Sequence, residues 1–128
     1  MEEATLLWVK DEVRPVGLDE HLEKRHVFLE ETTAAELFTT FQLVGPDLVV
    51  YSGKNELAAV VDVAEGQSRP VPVVVVVDRK EHRALRQALG SRVGAFVASD
   101  LPALALAQRL TTYVQRAKSG QPLEVAPA

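Results

Sequence analysis

"GPDLVVYSGKN", residues 45–55, decides the fold. A Gly-Pro break leads into an apolar run over 47–52 that lacks polar alternation, and Gly53-Lys54-Asn55 turns straight into a helical pattern. A strand without alternation is covered on both faces, which is the mark of a parallel sheet held between layers of helices. "VVVVV", residues 73–77, has the same character. Working outward, further β-rich runs fall at 5–9, 26–30 and 93–98, and the valine strand extends back to 71.

Each run is followed by a helical pattern. Thr33-Ala34-Ala35-Glu36 fits a capping box, with Ala34, Leu37, Phe38 and Phe41 on one buried face. Asn55 is placed to cap the next helix, whose inner face is Leu57, Val60, Val61 and Ala64, and Gly66, Pro70 and Pro72 end it. Leu85, Ala88 and Leu89 mark a fourth helix closed by Gly90, and Asp100 is the expected N-cap of a fifth lined by Ala103, Leu106, Ala107, Leu110 and Val114. The first helix, 15–24, rests on Leu18 and Leu22. Strands alternating with helices predict a doubly wound α/β fold, with any ligand crevice beyond the carboxyl ends of the strands.

Composition sets the outer limits. The chain has 128 residues, 47% of them apolar, enough for one core without staples. It has no cysteine, which removes disulfides, thiolate nucleophiles and cysteine-ligated metals. Met1-Glu2-Glu3 is acidic where a secretory signal is basic, and the longest apolar run, 73–77, is far short of the roughly twenty residues that span a bilayer. A cytoplasmic location with no membrane contact is expected. The net charge of −4 and the scatter of fourteen Lys and Arg residues argue against nucleic acid. The domain is expected over 1–117, and "KSGQPLEVAPA", 118–128, reads as a flexible tail or linker into a longer parent chain.

"TLLWVKDE", "PDLVVYSG", "PVVVVVDR" and "GAFVASDLP" together resemble the skeleton of the response-regulator receiver domain over roughly residues 4–116. The resemblance implies five helices around a five-stranded parallel sheet in the flavodoxin-like order 2-1-3-4-5. It also implies a pocket in which two acids after the first strand hold magnesium, an aspartate after the third accepts phosphate, and a Thr or Ser and a Lys follow the fourth and fifth. In this sequence those positions hold Lys10 and Asp11, followed by Glu12; then Ser52; then Val77, or Asp78 with a one-residue shift; and Ser99 or Leu101. Magnesium demands several hard oxygen ligands, and a serine hydroxyl is a weak nucleophile without a base. The expectation is a degenerate pseudo-receiver that binds no cofactor and no metal and is not an enzyme, with Lys10 paired to Asp11 where the cation belongs.

His21, His26 and His82 lack metal spacing, Trp8 reads as core, and Gly53, Gly90 and Gly94 form no phosphate loop. The fifth helix carries a wide apolar face. The resemblance places a partner surface there, so Leu104, Leu106, Leu110 and Tyr113 are expected to meet a protein partner or a second copy through the fourth helix, fifth strand and fifth helix. The leading expectation is a phosphorylation-independent protein–protein interaction module in bacterial signalling or regulation. The alternative is a small-molecule-binding or enzymatic domain using Asp11, Ser52, Asp78 and Ser99 at the strand-end crevice.

Overall fold

A computed structural model describes residues 3–10 and 14–124. In chain order the elements are β1 (Ala4–Lys10), α1 (Leu18–Glu23), β2 (Val27–Thr32), α2 (Leu37–Leu43), β3 (Leu48–Ser52), α3 (Leu57–Glu65), β4 (Val73–Val77), α4 (Arg79–Leu89), a 3-10 turn at Gly90–Arg92, β5 (Ala95–Ala98) and α5 (Ala103–Lys118). The five strands form one parallel sheet in the order β2-β1-β3-β4-β5, as expected.

Every residue of β3 and β4 is buried, because successive side chains point to opposite faces and both faces carry helices. Leu6, Trp8, Leu48, Val50, Val74, Val76 and Val97 pack with α1 and α5. Leu7, Val9, Val49, Tyr51, Val73, Val75 and Phe96 pack with α2 and α3. Fully burying each such aliphatic side chain stabilises the fold by about 1.5–3 kcal/mol, so two aliphatic layers replace the staples a small domain otherwise needs. Trp8 is a core residue with no exposed surface. Its indole N–H finds no partner among the described residues, which offsets part of the gain.

Several local expectations are corrected. Thr33 Oγ1 does accept from the Glu36 N–H at 3.3 Å, but residues 34–36 form a turn and α2 begins only at Leu37. With Ala34 outside the helix, Leu37 and Phe41 set the inward face and Phe38 is left 61% exposed. Asn55 does not cap α3; the Tyr51 hydroxyl, reaching up from β3, accepts from the Glu56 N–H at 2.9 Å. Asp100 does not cap α5, which starts behind Pro102. β2 begins at Val27 because His26 adopts a left-handed turn, with φ of 62°.

The expected surface on α5 is also corrected. Leu106, Leu110 and Tyr113 are buried against the sheet, so only Leu104, 45% exposed, remains open to a partner. The wide apolar stripe is there because β1, β3 and β4 all lie beneath this helix together with α1.

The boundary at 117 moves. α5 continues through Lys118, the chain turns at Gly120, and Leu123 is buried. Leu123 and Glu124 therefore lie against the domain behind the exposed residues 119–122; residues 125–128 lie outside the described residues. Among the described residues no helix is long and apolar enough to cross a membrane.

Leu110→Ala is expected to destabilise the fold by about 2–5 kcal/mol and Leu104→Ala by no more than about 0.5 kcal/mol, read from urea midpoints. Equal losses would place both side chains in the core.

Candidate functional site

The carboxyl ends of β1, β3, β4 and β5 bring Lys10, Ser52, Val77 and Ser99 to one end of the sheet. Asp11 and Glu12 lie outside the described residues. Ser52 is buried at 4% exposure, and its register neighbours are Lys10 on β1 and Val76 on β4. Val77 belongs to the opposite face, packed with the α2–α3 layer, and its carbonyl accepts from the Ser99 N–H at 3.0 Å. Ser99 itself is exposed.

Lys10 reaches sideways to β2. Its Nζ lies 3.6 Å from Glu31 on β2, which also receives Arg14 at 3.0 Å, and Arg14 reaches Asp19. Lys10 thus joins a solvated cluster over the β2 edge, while the Asp11 half of the expected pair lies outside the described residues. Asp78 is likewise spent elsewhere: its Oδ1 accepts from the Lys80 N–H at 3.0 Å and caps α4. Lys54 bridges to Glu81 at 3.0 Å across the mouth, and His82 Nε2 lies 3.1 Å from the Val77 carbonyl. Among the described residues no group of three His, Cys, Asp or Glu side chains is placed to hold a metal ion.

No family model matches the chain, and no curated protein matches it. Solved structures do. The signal receiver domain of a signal transduction histidine kinase from Syntrophus aciditrophicus is 21% identical with a TM-score of 0.67, over 98% of this chain and 97% of that one. HP1043, an orphan response regulator of H. pylori, is 21% identical with a TM-score of 0.64, over 84% of this chain and 92% of that one. A streptococcal protein from a family of redox sensors evolved from two-component response regulators is 13% identical with a TM-score of 0.71, over 91% of this chain and 53% of that one.

The fold is that of a response-regulator receiver domain.

In this receiver fold the richest cluster lies away from Ser52, between α4 and α5 over β5. Sequence reading missed it because its parts are distant in the chain. Arg86 of α4 stands 4.6 Å above the Phe96 ring, and the His82 ring lies 5.7 Å from it. Arg86 Nη2 donates to both carboxylate oxygens of Glu124, at 3.0 and 3.1 Å, and the Phe96 N–H donates to Glu124 Oε1 at 3.0 Å. Alongside is a depression of about 270 Å³ lined by Arg79, His82, Phe96, Ala98, Leu101 and Arg109. α4 contributes Arg79, Lys80, Arg83 and Arg86 against Glu81 as its one acid, so this surface is basic in a chain of net charge −4. The cations that look scattered in sequence converge here because α4 packs on β5, whose open edge faces the groove between α4 and α5. Farther off, Arg92 donates to Glu65 and Asp62, and those hydrogen bonds hold its guanidinium pKa above the ordinary value.

Lys10→Ala is expected to shift stability by less than about 1 kcal/mol in a urea titration, since its ion pair is solvated. A loss of about 3 kcal/mol or more would mean that Lys10 holds a buried charge pair instead.

Proposed function

We propose that this receiver-fold chain is a phosphorylation-independent interaction module of a bacterial signalling or regulatory protein, docking a protein partner through the face made by α4, β5 and α5. The observation that carries the reading is Ser52 closing β3 with Lys10 and Val76 as its register neighbours, where a receiver needs a carboxylate acceptor and metal-holding acids. A carboxylate accepts phosphoryl groups when a metal neutralises the transferring charge, and a serine without metal or base has neither advantage.

Two neighbours support separating the fold from the phosphate switch: one is described as an orphan response regulator, the other as a redox sensor evolved from response regulators. In this reading the chain is not an enzyme and takes no cofactor. It acts in the cytoplasm, and its output lies in the basic α4–α5 surface, of which Leu104 is the exposed apolar element. The alternative of a reactive strand-end crevice is weakened by Asp78, whose carboxylate caps α4, and by Ser99, which stands in solvent.

Beryllofluoride with magnesium mimics the phosphorylated receiver. Titrated against the labelled protein and followed by NMR, it is expected to leave the amide resonances of Lys10, Ser52 and Gly53 unmoved; saturable shifts there overturn the proposal.

A further inference from the structure

We propose that the groove over β5 is a docking site for a short acidic peptide carrying a leucine next to its carboxylate, and that the chain's own Leu123-Glu124 occupies it as an intramolecular stand-in. The inference rests on the interaction-module reading for its purpose and adds the partner chemistry and its regulation.

The site is built from four elements. β5 pairs only with β4, so it is an edge strand, and the N–H of Phe96 on its open side is satisfied by Glu124. An open edge is a template for an incoming chain. The same carboxylate takes both of its Arg86 hydrogen bonds from one nitrogen, Nη2, of a guanidinium seated on the Phe96 ring, so charge and aromatic face hold it in place. Gly94 forms the apolar part: a Cβ there would meet Leu123 Cδ1 at 2.7 Å, and this absence of a side chain makes the notch that buries Leu123. The approach is held by α5, where Arg116 Nη1 donates to the Pro122 carbonyl at 3.3 Å and the Arg116 carbonyl accepts from the Gln121 N–H at 2.9 Å.

The segment fills only part of the surface. Beyond Phe96 the depression bounded by Arg79, His82 and Arg109 continues the basic lining, and Arg79 meets only the distant carboxylate of Asp100 at 3.7 Å among the described residues. A longer acidic peptide gains these cations as well. α4 has no fully buried residue and rests on the half-buried Leu85 and Leu89, and the Arg86–Glu124 contact adds a polar tie to the segment over β5. An occupant that is covalently attached acts at an effective concentration of about millimolar, so an external peptide must outcompete it. Carboxylate recognition by a guanidinium beside a leucine-sized notch favours a peptide over nucleic acid, whose phosphates carry no aliphatic side chain next to them and are repelled by a net charge of −4.

The test uses a fluorescein-labelled synthetic peptide of residues 119–128, SGQPLEVAPA, titrated by anisotropy. Against the folded Leu123→Ala/Glu124→Gln variant, saturable binding is expected; against the wild type it should be weaker by about tenfold or more, and Arg86→Gln added to the double variant should abolish it. No binding to the folded double variant, or equal binding to the wild type, overturns the proposal. So does tighter binding of the double variant to a duplex oligonucleotide than to the peptide. Independently of peptide, Glu124→Gln alone should speed hydrogen exchange at the Phe96 amide by about tenfold or more, a local opening; an unchanged rate denies that Glu124 closes the edge. Neither assay contains magnesium or a phosphate analogue. Their failure therefore leaves the phosphorylation-independent reading standing, and beryllofluoride shifts would leave this groove standing.

Discussion

Burial of β3 and β4 on both faces is the constraint from which the rest of the molecule follows. Because neither strand has a solvent side, each must be flanked by strands and roofed by helices. The sheet therefore grows outward from them to β1 and β2 on one side and to β5 on the other. The parallel direction then demands crossovers: α1 lies with the terminal α5 on one face, and α2, α3 and, through Leu85 and Leu89, α4 lie on the other. Removing the polar alternation from two strands in this way settles the layer count of the whole domain.

The same geometry sets two polar regions at different parts of the sheet. At the carboxyl ends of the strands, Lys10 meets Glu31 at the β2 edge, Asp78 caps the start of α4 and Lys54 bridges to Glu81. At the far side of the sheet, β5 is an edge, α4 is shallowly seated, and the chain folds back to lay Leu123 and Glu124 over them. Polar chemistry is concentrated at the second region, where a carboxylate, a guanidinium, an aromatic ring and an edge N–H complete one another.

Where local expectation failed, a distant group had won. Phe38 obeys the helical period yet is exposed, since the turn at 34–36 rephases α2 around Leu37 and Phe41. Asn55 is a good cap by type, but the Tyr51 hydroxyl from the preceding strand takes the N–H one residue later. Leu106, Leu110 and Tyr113 were legible as apolar and not as buried: a wide stripe on α5 reads the same whether it meets a partner or the chain's own sheet. Lys10, Ser52, Val77 and Ser99 were legible as neighbours because strand ends are countable, while the direction in which Lys10 turns depends on Glu31 and Arg14, which no strand count supplies.

By itself, then, the sequence determined the alternation of five strands and five helices, the two-faced burial of the central strands, and the identity of the residues at the strand ends, because these depend on side-chain period and turn chemistry within a few residues. Only the tertiary structure decided which face of α5 is spent on the core, which way the strand-end charges point, and that the segment through Glu124 belongs to the domain. Those outcomes depend on groups such as Arg86, Phe96 and Glu124, or Gly94 and Leu123, whose meeting is set by the packing of α4, β5 and α5 and leaves no periodic trace in the chain.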